Sequence, residues 1–274
     1  MISATLLESM KDEVWQISTN LDQLLKQLIT LEQVTLMLHA NGVISSKSAD
    51  GTQALQIGDT FCIPELGITL RQKSSYDIYL YVGIMSHRDI CIEIHFRETS
   101  EALCVCFNLT LKNQIFLDEL TKSVRNVLPL HQHQSLRDNY PPSCPCCIEK
   151  QDEIRRDLSV HPLYRILIQM EDDIPLKLIH AGLFTHSLQE FQLSSRSAHW
   201  GIIYLHAGSE QYSIDLTQVY HLHAKIDVIE GAPHTILTGF NALGNRILEL
   251  SQEGTYPFHQ WDSELRSSTP PMLD

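Results

Sequence analysis

The chain has 274 residues, 43% apolar and 19% charged, a composition that fits two ordinary domains or one elongated one and excludes a disordered or fibrous chain. Lys and Arg total 20 against 33 Asp and Glu, a formal charge of -13; this argues against nucleic acid or an anionic membrane surface as the main partner, since both select a net basic face. No apolar run reaches the about 18 residues of a membrane span. Met1 to Met10 lacks a basic stretch followed by an apolar core, so no signal peptide is expected there. The seven cysteines, odd in number and unevenly spread, predict a reduced cytoplasmic protein without a disulfide framework.

In chain order, Leu7, Met10, Val14, Ile17, Leu21, Leu24 and Leu28 recur in steps of three and four. That spacing predicts a long amphipathic helix, packed on its own core or pairing with a protein partner or a second copy. From Leu31 to Leu111 the pattern turns strand-like, with strands predicted at Val34 to Leu38, Val43 to Lys47, Ile68 to Arg71, Ile78 to Val82, Ile90 to Phe96 and Leu103 to Leu111. Ile90, Ile92, Ile94 and Phe96 alternate with Cys91, Glu93 and His95, as in a strand with one buried face. Gln114 to Leu128 returns to helical spacing.

Pro129 to Val160 reads as a linker, with a helix over the charged stretch Glu149 to Asp157. Strands are then predicted at Ile166 to Met170, Leu176 to His180, Gly201 to His206, Tyr212 to Leu216, Val219 to Val228, Thr235 to Phe240 and Arg246 to Leu250. This divides the chain into a first half (1–128), a linker with a Cys cluster (129–160) and a second half (161–274). Ile68-Thr69-Leu70 pairs with Ile214-Asp215-Leu216, Phe96 with Phe240 and Leu103 with Ile247 at nearly one offset, suggesting a duplication. The fold class is α+β: two antiparallel-sheet halves in tandem, with helices at their ends.

Several side chains could carry chemistry. His131 and His133, after Pro129, offer imidazoles to a metal ion, or are two solvated linker residues. Arg71 ends a strand and could anchor an anionic group, or is an exposed strand-end charge. Cys144, Cys146 and Cys147 hold a Cys-x-x-Cys pair with a third thiol inside it, a spacing that can grip zinc, although no second pair follows. Cys91, Cys104 and Cys106 fall on strands and are most simply buried apolar residues. His221 and His223 share one strand face. No Gly-x-Gly-x-x-Gly, phosphate-binding loop, His-Glu-x-x-His or Gly-x-Ser-x-Gly occurs.

Leu178-Ile179-His180-Ala181-Gly182, Trp200-Gly201-Ile202-Ile203-Tyr204, Tyr212-Ser213-Ile214-Asp215-Leu216 and Phe240-Asn241-Ala242-Leu243-Gly244 follow one another as in the HemS/ChuX-like haem-utilisation proteins of bacteria, which the chain resembles over Leu31 to Glu253. Ile68-Thr69-Leu70-Arg71 and Phe96 to Leu103 echo the same plan in the first half. The resemblance implies a two-half fold and a cytoplasmic haem-binding protein that carries, stores or degrades haem. The axial ligand would come from Leu128-Pro129-Leu130-His131-Gln132-His133, and Arg71 would lie on the other haem face. Binding is favoured over turnover; an enzyme of this kind would be a haem-degrading oxygenase using the bound haem to activate oxygen. Thr217 stands where the family has a second-half Arg. The alternative is a non-enzymatic interaction or regulatory module that keeps the fold without the cofactor.

Overall fold

The computed structural model describes residues 10, 12–28, 30–40, 42–49, 55–57, 60–63, 68–71, 75–82, 89–97, 101–137, 144–170, 177–180, 184–187, 195–207 and 210–267. The chain divides into two compact units, Met1–His39 with Ser46–Pro141, and Ala40–Ser45 with Pro142–Asp274. No helix among the described residues is long and apolar enough to cross a membrane.

The first unit runs β1 (Glu13–Ile17), α1 (Leu21–Leu28), β2 (Val34–Ala40), β3 (Val43–Ala49), β4 (Leu55–Ile57), β5 (Thr60–Ile63), β6 (Ile68–Arg71), β7 (Tyr76–Val82), β8 (Asp89–Phe96), β9 (Glu101–Asn108), α2 (Leu111–Thr121), β10 (Val124–Pro129) and α3 (Leu130–Arg137). Its main sheet is ordered β10-β1-β7-β8-β9-β2 and is antiparallel throughout. A second antiparallel run joins β4, β5 and β6.

The long N-terminal helix expected from Leu7 is corrected here. Glu13–Ile17 is a strand hydrogen-bonded between β10 and β7. Its register slips between Gln16 and Ile17, and such an irregularity lets residues three apart, Val14 and Ile17, both be buried. The helix begins only at Leu21, where Asn20 caps it by accepting the Gln23 amide at 3.2 Å. Leu21, Leu24, Leu25 and Leu28 are all buried within this chain. The predicted helix Gln114 to Leu128 is also shorter, since α2 ends at Thr121 and Val124 to Pro129 form the outer strand β10.

β8 matches the predicted alternation, but both of its faces are buried. Ile90, Ile92, Ile94 and Phe96 are closed off from solvent, and so are Cys91, Glu93 and His95. Leu128 at the end of β10 and Leu130 at the start of α3 pack on the side carrying the cysteines.

The second unit contains α4 (Pro145–Arg156), α5 (Pro162–Gln169), β11 (Lys177–His180), β12 (Phe184–Ser187), β13 (Ser195–His199), β14 (Ile202–Ala207), β15 (Glu210–Asp215), β16 (His221–Ile229), β17 (Ala232–Phe240), β18 (Arg246–Glu253) and α6 (Tyr256–Ser267). β16-β17-β18-β11-β12 are neighbours in one antiparallel run and β13-β14-β15 in another. Ile166 to Met170, expected as a strand, lies mostly in α5. His161 caps that helix and Pro162 opens it, two start signals that outweigh a short β-branched run.

The core of this unit gathers Ile154, Leu163, Ile166, Leu167, Ile203, Tyr212, Leu237, Leu248 and Trp261. Val43, in the segment Ala40–Ser45 that belongs to this second unit, joins it beside a turn in which Gly42 has φ +93° and its carbonyl accepts the Asp215 amide at 2.7 Å. A Cβ on Gly42 would stand 2.5 Å from the Gln218 Cβ, so both the dihedral and the space require glycine. The turn Phe240 to Gly244 is held by the Asn241 carboxamide, whose Oδ1 accepts the Leu243 and Asn245 amides at 3.0 and 2.9 Å.

Candidate functional site

The two candidate histidines lie on one short helix with opposite environments. α3 follows Pro129, and the Leu130 amide is tied to the Asp12 carbonyl at 3.0 Å. His131, on its first turn, is exposed. His133, two residues on, is buried to 2% against the sheet face built by alternate residues of β7, β8 and β9. Its ring stands edge-on to Tyr79, with centroids 4.7 Å apart, and tilted to Tyr81 at 5.2 Å.

The register of that face explains the cluster. Tyr79 lies opposite Glu93 and Glu93 opposite Cys104; Tyr81 lies opposite Cys91 and Cys91 opposite Cys106. Glu93, fully buried, accepts the Tyr81 hydroxyl at 3.2 Å, and that hydroxyl is 3.4 Å from the Cys104 sulfur. His133 Nε2 is 3.4 Å from Glu93 Oε1 but makes no hydrogen bond among the described residues. Burial pushes the His133 pKa down to about 4, so the ring is neutral at pH 7. Burial likewise raises the Cys104 thiol to about 11.

Cys91, Cys104 and Cys106 are buried as expected, but Cys91 and Cys106 are joined in a disulfide, which corrects the expectation of an entirely reduced chain. Antiparallel register sets the two residues directly opposite, with Cα atoms 4.2 Å apart. Tyr81 and Glu93 were not among the residues singled out by sequence; a Glu alternating with isoleucines reads as solvent-facing unless something covers the second face.

Cys144, Cys146 and Cys147 come together at the start of α4. Cys144 is its N-cap, with Pro145 next, and the Cys147 and Ile148 amides both donate to the Cys144 carbonyl at 3.0 Å. Cys144 Sγ is 2.6 Å from the Cys146 sulfur and 3.2 Å from that of Cys147. Cys144 and Cys146 are exposed and Cys147 is half-buried. The adjacent Cys146 thiol, then that of Cys147, lowers Cys144 to about 7, while Cys147, hydrogen-bonded to Cys144, rises to about 11. Among the described residues no fourth His, Cys, Asp or Glu ligand joins these three.

Arg71 ends β6, paired with Thr60 in register; its side chain lies outside what is described. Thr217 is buried and bonds back to Asp215, its amide at 2.9 Å and its hydroxyl at 2.6 Å, a local turn far from the role of a ligand-facing Arg. His221 and His223 are both exposed on β16. Beside α4 a hollow of about 800 Å³ is lined by Asp152, Arg155, Arg156, Trp200, Ile202 and Asp215, a combination not suggested by spacing in the sequence.

No protein-family model and no curated protein matches the sequence. Solved structures do match the fold. The heme-degrading enzyme ChuS of Escherichia coli O157:H7 superposes with a TM-score of 0.65 over 92% of this chain and 87% of its own, at 10% identity. The heme-binding protein PhuS of Pseudomonas aeruginosa, in its apo form, does so with 0.61 over 96% and 89%, also at 10% identity. With large antiparallel sheets flanked by a few helices, the chain therefore has the fold of the HemS/ChuX-like haem-utilisation proteins.

Proposed function

We propose that the protein binds haem, with His131 as the protein's donor to the iron. The observation that carries this is the asymmetry of α3: its one exposed histidine stands beside one sealed under the helix. An accessible imidazole can donate to iron, whereas His133 is shut behind Tyr79 and Tyr81. His133 anchors α3 to the sheet and so orients His131. Arg71 is the candidate cation for the far side of the ligand, on the resemblance alone. Bound haem would supply a redox-active iron; the chain's own part is to hold it by one imidazole. The fold shared with ChuS and PhuS, a heme-degrading and a heme-binding protein, supports haem utilisation in general; our own reading within that is a cytoplasmic binding or carrier protein.

We also read the two units as copies of one ancestral half. Each runs helix, eight strands, helix: α1, β2 to β9 and α2, then α5, β11 to β18 and α6. The pairs noted in the sequence fall at equivalent points: Phe96 ends β8 and Phe240 ends β17, the middle strands of β7-β8-β9 and β16-β17-β18.

A haemin titration followed in the Soret band tests the function. The wild type is expected to shift the band at one equivalent. His131→Ala should abolish the shift, His133→Gln should keep it, and a variant with Ser at 144, 146 and 147 should keep it as well. No shift in the wild type would leave an interaction module that has kept the fold. A shift that survives His131→Ala but not the Ser variant would move the ligand to the Cys144, Cys146 and Cys147 cluster.

A further inference from the structure

We propose that Cys144, Cys146 and Cys147 form a thiol–disulfide exchange site in which Cys144 attacks a disulfide of a partner molecule and a neighbouring thiol of the same helix turn resolves the product. The sulfurs already lie 2.6 and 3.2 Å from that of Cys144, so an internal bond can close with little backbone movement. The turn holding them is itself fixed, since Pro145 presets the first helical dihedral and two amides converge on the Cys144 carbonyl.

Three further features separate this cluster from a structural one. Cys144 and Cys146 are exposed, so a partner disulfide can reach them. The first turn of α4 carries no acidic residue, which leaves the helix's N-terminal field available to an anionic sulfur. Finally, a closed zinc centre requires four ligands, and among the described residues no fourth His, Cys, Asp or Glu joins this cluster; exchange needs no more than two.

The chemistry balances with a low-molecular-weight disulfide such as oxidised glutathione as oxidant. Cys144 Sγ bonds to one sulfur of that disulfide as its S–S bond breaks, and the departing thiolate takes up a proton. Cys146 or Cys147 then bonds to Cys144 Sγ, releasing the second glutathione as a thiol. The protein loses two electrons and two protons, and the oxidised glutathione becomes two thiols. Neither His131 nor iron takes part, so the proposal stands apart from haem binding.

The test uses the full-length, haem-free protein, treated with oxidised glutathione after mild reduction and analysed by peptide mapping, which keeps Cys62, Cys91, Cys104 and Cys106 apart from the cluster. The expected wild-type product has a disulfide at Cys144, with two glutathione thiols released per chain and none retained at the cluster. The double variant Cys146→Ser, Cys147→Ser should stop at a glutathione adduct on Cys144. Cys144→Ser should react at least about tenfold more slowly at this site. Thermal melts of both variants, expected to match the wild type because the sites are exposed or half-buried, establish that they fold. The proposal is overturned if Cys144 stays a free thiol, if the wild type retains glutathione on separate cysteines, or if Cys144→Ser forms a cluster disulfide at the wild-type rate.

Discussion

Cys104 and Cys106 stand two apart on a strand, and Cys144 and Cys146 stand two apart where a helix begins. The first pair shares a sealed sheet face with a disulfide partner, a tyrosine hydroxyl and a carboxylate. The second pair lies in the open with a third thiol alongside. Residue type and spacing are the same; what differs is whether an element covers them. Burial withholds the thiolate from Cys104, and exposure leaves Cys144 free to meet a partner. The histidines of α3 repeat the lesson within one turn, His131 in solvent and His133 under the helix. Accessibility sorts identical side chains into structural and chemical ones.

The largest effect expected from this contrast is kinetic. Under native conditions an aromatic disulfide reagent should modify Cys144 and Cys146 readily, while Cys104 waits for an opening of the sheet and reacts about 10³-fold more slowly or less. Mapping the labelled peptides against time checks this. Comparable rates for Cys104 and Cys144 would break the comparison at its root.

The next effect sharpens it for histidine. His161 is buried in the second unit, its Nε2 donating to the Val219 carbonyl at 3.0 Å and its Nδ1 accepting the Leu163 amide at 3.2 Å. His161→Ala strands both backbone groups and should cost about 2–4 kcal/mol. His131→Ala, in solvent, should change stability by less than about 0.5 kcal/mol. Urea unfolding of the two variants beside the wild type gives the comparison.

Much of this could be read from the sequence where periodicity had one meaning. β8 alternates Ile90, Ile92, Ile94 and Phe96 with Cys91, Glu93 and His95, a period of two that fits a strand and no helix. Asn41-Gly42 marked its turn, which Gly42 makes with a positive φ. The N-terminal pattern failed because a spacing of three also arises on a strand whose register slips. Ile166 to Met170 failed because a short apolar run serves either structure, and His161-Pro162 decides for the helix. The candidate histidines and cysteines were legible as residues but not as environments. Whether α3 covers Glu93 and His133 depends on contacts some 40 residues apart in the chain, which no local pattern records.

Acid should expose the same difference in a smaller effect. His133 and His161 have folded pKa values lowered by burial to about 4, below the about 6.5 of an unfolded histidine. The unfolded chain therefore binds their protons first. The stability each contributes is fully present above about pH 6.5 and is lost as pH falls from there toward 4. Between pH 6.5 and 5 the loss is about 2 kcal/mol per site at about 1.4 kcal/mol per pH unit. His133→Gln should flatten the pH profile of urea unfolding by that amount. A profile just as steep in His133→Gln would remove this histidine from the acid response.

The smallest effect is electrostatic and sets an open pair against the closed cluster. Arg97 grips Asp77 with two guanidinium nitrogens, but the Arg side chain is 58% exposed and that of Asp77 14%. The Arg97 hydrogen bond, against opposing burial, holds the Asp77 carboxyl below its usual range, and Gln16 adds a bond at 3.0 Å. A lowered carboxylate contributes stability above its unfolded pKa and loses it as pH falls through the folded value, a window below that of the two buried histidines. Solvent screens the pair, so Arg97→Ala should cost only about 0.5–1 kcal/mol at pH 7. Because the Debye length shrinks to about 3 Å in 1 M salt, most of that difference should disappear there. The contact between Tyr81 and Glu93, out of reach of ions, should respond to Tyr81→Phe equally in low and high salt. Urea titrations of both variants at the two salt concentrations separate the cases: an Arg97→Ala cost that persists in 1 M salt would mean Asp77 depends on Arg97 for position, as a buried group depends on its partner, and not for charge.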